Sequence, residues 1–98
     1  KTVRTAEQIR CNIDKIGASL NNFHQKAFLR NPRTEGKVVL QFVIEPAGQV
    51  SDVVAIESEI NDELLISGII SEFLSMKLPT QNVERYSGKH TLNFLNGF

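Results

Sequence analysis

The sequence is poor in the residues that build covalent or metal-held frameworks. It has one cysteine, Cys11, and no tryptophan. A single thiol closes no intrachain disulfide and falls short of the four ligands that a structural zinc site usually takes; the redox compartment stays undecided. There is no excess charge of either sign, since eleven Lys and Arg balance eleven Asp and Glu. Binders of nucleic acid or anionic membranes are normally strongly basic, so no nucleic-acid partner is expected. Apolar runs such as Val38-Val39-Leu40, Val53-Val54-Ala55-Ile56 and Leu64-Leu65-Ile66 are short. They are far below the ~20 residues that span a bilayer. No hydrophobic region of a signal peptide is present. No HExxH, CxxC or GxSxG pattern occurs, and His24 and His90 have no neighbours at ligand spacing. The expectation is a domain with no enzymatic activity, no cofactor and no metal.

What is there is an ordinary globular composition: 98 residues, 41% hydrophobic and 22% charged. That suits a single domain over residues 1–98 with one core and little room for a deep pocket. The chain begins with Lys1 in place of Met. The expectation is a piece of a longer protein, with any anchor or targeting segment upstream.

Three periodicities organise the chain. From Thr5 to Leu29, Ile9, Ile13, Ile16, Leu20, Phe23 and Ala27 recur at helical spacing, with Arg10, Asp14, Asn21 and Gln25 opposite. Thr5 and Gln8 make a capping box. Gly17 weakens the middle by ~1 kcal/mol relative to Ala, and Pro32 ends the helix. From Lys37 to Glu45 the period changes to two, with Val38, Leu40, Phe42 and Ile44 on one side. Pro46-Ala47-Gly48-Gln49 forms a turn into a second strand, Val50 to Glu57, so the two make a hairpin. Asn61 or Asp62 caps a second helix running to about Lys77. Its wide apolar stripe suits a helix laid across a sheet. After Pro79 and a turn at Ser87-Gly88, a third strand covers 89–94. There His90, Leu92 and Phe94 alternate with Lys89, Thr91 and Asn93.

The order helix, strand, strand, helix, strand specifies an α+β fold. The second helix, about 24 Å long, carries the chain back along roughly one strand length. Strand three then runs parallel to strand two. With strand one between them, every neighbouring pair is antiparallel and the crossover is right-handed. The expectation is a three-stranded antiparallel sheet of order 2-1-3, with both helices on its apolar face.

Four stretches carry a family resemblance. Phe28-Leu29-Arg30-Asn31-Pro32 stands at the end of the first helix. Glu35-Gly36-Lys37-Val38-Val39-Leu40-Gln41-Phe42-Val43-Ile44 followed by Pro46-Ala47-Gly48-Gln49-Val50 forms the hairpin. Lys77-Leu78-Pro79 closes the second helix, and Leu92-Asn93-Phe94 lies in the last strand. Together they resemble the TonB/TolA C-terminal domain superfamily, and most closely its AgmX/PglI-type members. Those carry a Cys-Tyr pair where this chain has Asn22-Phe23, and a second Cys near Ser67 or Gly68, so a family disulfide is excluded here. The resemblance implies the periplasmic end of a TonB-like energy transducer. Such a protein is anchored in the inner membrane and driven by a motor complex that uses the proton-motive force. Its terminal domain grips a peptide of an outer-membrane transporter by strand addition. A TolA-like or AgmX-like linker in an envelope, secretion or motility machine is the alternative, and a homodimer through paired edges is another.

Candidate partner-binding residues follow. An edge strand exposes unpaired backbone groups that can take up an extended peptide. Strand three is such an edge, comprising Lys89, His90, Thr91, Leu92, Asn93 and Phe94. It has no proline, so every backbone N–H is expected to be on offer. Arg30, Asn31 and Pro32, with Lys26, Arg33 and Lys37 nearby, form a second, basic patch; the dipole at a helix C-terminus also accounts for its charge. The acidic run Glu57, Glu59, Asp62 and Glu63 reads as charge favoured at a helix N-terminus. Ser87-Gly88-Lys89 lacks the context of a phosphate loop. His24 reads as a polar residue on the helix flank, His90 as partly buried, and Cys11 as a half-exposed thiol away from the core.

Overall fold

The computed structural model describes residues 4–94. The order is α1 (Ala6–Lys15), α2 (Gly17–Arg30), β1 (Gly36–Ile44), β2 (Val50–Ser58), α3 (Glu63–Ser75) and β3 (Tyr86–Phe94). The strands form one antiparallel sheet of order β2-β1-β3, as the hairpin and the length of the crossover helix require.

The core lies on one face of the sheet. Val38, Leu40, Phe42 and Ile44 of β1 are buried, and they meet Ile9 and Ile13 of α1, Leu20 and Ala27 of α2, and Leu65, Ile69 and Phe73 of α3. Phe42 packs against the ring of Phe73 at 5.6 Å and that of Tyr86 at 6.1 Å. α2 and α3 touch closely because Gly68 has no side chain: a Cβ there would run into the ring of Phe23. Gly48 is needed for a different reason. Its φ is +98°, and a Cβ would collide with the Leu78 carbonyl. The Leu78 N–H in turn donates to the Gly48 carbonyl at 2.9 Å, tying the chain after α3 to the hairpin turn.

The structure corrects four expectations. The first helix is two. Its capping box is present, with the Gln8 N–H donating to Thr5 Oγ1 at 3.1 Å. The path then breaks at Ile16 (φ −98°, ψ 4°), just before Gly17, where the poorest helix former apart from proline meets open space. β3 begins three residues early. Ser87 and Gly88 are no turn; they pair with Val43 and Phe42, because β1 offers a full-length partner and Tyr86 lays its ring over the bare Gly88 backbone. His24 is buried. Its Nε2 lies 2.9 Å from the Thr34 carbonyl oxygen, and its ring stands 4.8 Å from Phe94. On α2 His24 stands one turn from both Leu20 and Ala27 and shares their buried face, while Phe23 is only half-buried. Cys11 is exposed outright.

Arg4 went unremarked in the sequence. It is buried, and it donates to the carbonyls of Glu45 and Pro46 and to Gln81 Oε1 at 3.1–3.2 Å. It thus pins the entry to α1 against the hairpin turn. An arginine so near a chain start gives no sequence signal of burial, because arginines are mostly surface residues.

Candidate strand-docking edge

The sheet has two edges, and their backbones differ. Along β2 the pairing to β1 slips twice, between Val39 and Leu40 and between Gln41 and Val43. Both slips place extra residues in β2, and Asp52 takes φ +52° at one of them. β3 pairs with β1 without interruption, nine residues against nine, from Gly36↔Phe94 to Ile44↔Tyr86. Among the described residues nothing pairs with the outer side of β3.

The direction of the backbone groups on β3 follows from β1. The Glu59 N–H donates to the Lys37 carbonyl at 2.9 Å, and the Glu45 N–H to the Gln49 carbonyl at 2.8 Å. Odd-numbered residues of β1 therefore address β2. In an antiparallel ladder successive residues address opposite neighbours, so even-numbered residues of β1 address β3. Their partners Gly88, His90 and Leu92 point their N–H and C=O groups inward to β1. The open groups belong to Ser87, Lys89, Thr91 and Asn93. This corrects the expectation that every N–H between Lys89 and Phe94 is on offer: half of them are spent on β1. The same four residues carry the exposed side chains of the strand, whereas Tyr86, Gly88, His90 and Leu92 are half-buried and Phe94 is buried.

The flank of β3 on the helix side belongs to α1. His90 faces the ring of Phe73 at 6.4 Å. Burial holds its imidazole below the ordinary pKa; the Asp14 carboxylate opposes that shift and the Arg10 guanidinium adds to it. Two cavities open along this flank. One, of about 190 Å³, lies among Arg10, Ile13, Tyr86, Lys89 and His90. The other, of about 220 Å³, lies among Asp14, Leu20, Asn21, Leu92 and Asn93.

The basic patch stands elsewhere. Arg30 is committed to Asp62, with contacts of 2.8 and 3.2 Å to the carboxylate. Asp62 also accepts the Leu65 N–H at 3.0 Å as the N-cap of α3. The Arg30 hydrogen bonds hold the Asp62 carboxyl below its usual pKa; burial opposes them and the Leu65 N–H assists. Asn31 Oδ1 accepts the Arg33 N–H at 3.0 Å, which closes the turn around Pro32. Arg30 therefore joins α2 to the N-cap of α3, and Asn31 and Pro32 form the exposed turn beside it. The acidic run is mostly structural as well: Glu59 accepts the Lys37 N–H at 2.7 Å, and Glu57 pairs with the Lys37 ammonium at 3.3 Å. Among the described residues no three His, Cys, Asp or Glu side chains are grouped to hold a metal ion. No helix among them is long and apolar enough to cross a membrane.

No family model matches the chain, and no curated protein matches it by sequence. It is similar in structure to the C-terminal domain of TonB from Helicobacter pylori, solved by NMR in solution. The TM-score is 0.53, at 20% identity, over 96% of this chain and 95% of that one. The fold is thus that of a TonB C-terminal domain, and the resemblance drawn from the hairpin and helix ends holds at that level.

Proposed function

We propose that this domain is the periplasmic, non-catalytic end of a TonB-like energy transducer. It docks an extended segment of an outer-membrane transporter, or of another envelope protein, by strand addition to β3. In this reading residues 1–98 are one domain of a longer protein anchored in the inner membrane, and the upstream region meets the motor complex that uses the proton-motive force. The observation that carries it is the unbroken register of β3 together with four outward-directed backbone positions. Four successive alternate N–H and C=O pairs form a ladder that an added strand can complete. The fold shared with a TonB C-terminal domain supports the biological setting.

The test is an NMR titration of the ¹⁵N-labelled domain with N-terminal peptides of the outer-membrane transporters from the same cell. The expected result is large amide shifts at Ser87, Lys89, Thr91 and Asn93, and smaller ones at Gly88, His90 and Leu92. Shifts confined to Arg30, Asn31 and Arg33, or no shifts in a folded sample, overturn the reading.

A further inference from the structure

The two cavities beneath α1 lie where the inward side chains of an added strand would land, and they carry opposite charge. The inward residues of β3 at the first cavity are Tyr86 and His90, with bare Gly88 between them; at the second they are His90, Leu92 and Phe94. The two are therefore centred about four residues apart along the strand, near Gly88 and Leu92, with His90 and Ile13 as the ridge between. Side chains of an added strand repeat every second residue on one face. Positions i and i+4 would then enter the cavities, and i+2 would meet the ridge.

The first cavity has Arg10 and Lys89 in its wall and no carboxylate. The second has Asp14 and no cation, and its remaining wall includes the alkyl surfaces of Ile13, Leu20 and Leu92. Arg10 and Asp14 stand one helical turn apart, yet among the described residues neither they nor Lys89 closes an ion pair. The charges of Arg30, Lys37 and Arg85, by contrast, are all satisfied within the fold. We infer that the strand taken up by β3 presents an acidic side chain to Arg10, a small one to the His90–Ile13 ridge, and a lysine or arginine to Asp14. The long alkyl stem of the basic residue lies on Leu20 and Leu92, with its charged head at the carboxylate. This pattern also sets the direction of the strand, because only one orientation matches both charges for a given peptide.

The inference rests on the proposed docking to β3, and its test separates the two. Three synthetic peptides are titrated by fluorescence anisotropy at low salt: Thr-Glu-Thr-Ala-Thr-Lys-Thr, Thr-Lys-Thr-Ala-Thr-Glu-Thr and Thr-Gln-Thr-Ala-Thr-Gln-Thr. One charged order is expected to bind about fivefold or more tightly than the other two, and the margin shrinks with salt, as partly exposed ion pairs do. The double variant Arg10→Glu/Asp14→Lys changes two exposed helix positions, and it should reverse the preferred order. Equal binding of all three peptides, lost on Thr91→Pro, overturns the charge pattern and leaves strand addition standing. A preference that Arg10→Glu/Asp14→Lys does not reverse also overturns it. No binding of any peptide, or binding unaffected by Thr91→Pro, overturns both.

Discussion

β2 and β3 flank the same central strand and have the same length, yet only β3 keeps an unbroken register along it. By composition β2 looks the stickier edge: Val54 and Ile56 are 52% and 43% exposed. Its backbone, however, is twice bulged and passes through a left-handed residue, Asp52, whose carboxylate is held by Arg85 at 3.4 Å. Bulges twist an edge away from flat pairing and are a common guard against unwanted strand addition. β3 presents polar side chains on a regular backbone. In the proposed docking, the regularity of the ladder counts for more than the greasiness of its side chains. The two edges also have different roofs, since α3 packs on β2 while α1 lines the open flank of β3.

The largest effect should come from the strand that both edges share. Phe42 is 1% exposed and bridges Phe73 on α3 to Tyr86 on β3. Phe42→Ala should cost about 3–5 kcal/mol through lost burial and a cavity, read from urea denaturation. A loss below about 1 kcal/mol would mean that the edges do not depend on this core.

The contrast itself is broken most directly at Thr91, whose N–H points away from β1. Proline there removes an outward donor and no ladder bond. Thr91→Pro should lower peptide affinity at least tenfold, about 1.4 kcal/mol, while the circular dichroism spectrum stays that of a folded protein. Val54→Lys on β2 is the matching control and should leave affinity within about twofold, as surface changes away from a site usually do. Equal losses from both variants would erase the distinction between the edges.

How much of this was legible beforehand depends on which interactions are local. The period-two run of β1, the Pro46–Gln49 turn and the wide stripe of α3 are local patterns, and they sufficed for the topology and for β3 as an edge. Three features were not legible. The bulges of β2 arise in its register against β1 and leave no mark in its residue types. The β-paired conformation of Ser87 and Gly88 opposes their turn preference and is imposed by β1 and the ring of Tyr86. His24 reads as a flanking polar residue; its burial rests on the Thr34 carbonyl and the Phe94 ring, partners that no local pattern supplies. At the candidate site, strand three was readable as an edge, but the selection of Ser87, Lys89, Thr91 and Asn93 as its open positions required the Lys37–Glu59 and Glu45–Gln49 hydrogen bonds. In the basic patch, Arg30, Asn31, Pro32 and Arg33 are exposed as expected, but the pairing of Arg30 with Asp62, 32 residues away, is not local and could not be read beforehand.

The roof over β3 offers a smaller, stabilising change. Gly17 has open space where a Cβ would sit and no left-handed φ. Gly17→Ala should raise stability by about 0.5–1 kcal/mol by favouring the helix at the α1–α2 junction. A decrease in thermal midpoint would show that the junction needs glycine.

The smallest effect separates the edges by pH. β3 carries His90, half-buried against Phe73; β2 has no histidine. Burial depresses the imidazole pKa below 6.5, with Arg10 adding to that and Asp14 opposing it. Above about pH 6.5 the ring is neutral in both folded and unfolded chains, so it adds no pH dependence. As pH falls through that value, the unfolded chain takes up a proton that the folded chain resists, and stability drops. The drop ends once pH passes below the folded-state pKa. His90→Gln removes the titration while keeping a polar side chain beneath α1. The stability difference between wild type and His90→Gln, from urea midpoints at about pH 8 and pH 5, should move in favour of the variant at the lower pH. A difference that is the same at both values would show that His90 is solvated well enough to titrate normally, and that the flank beneath α1 is as open to water as the outer face of the strand.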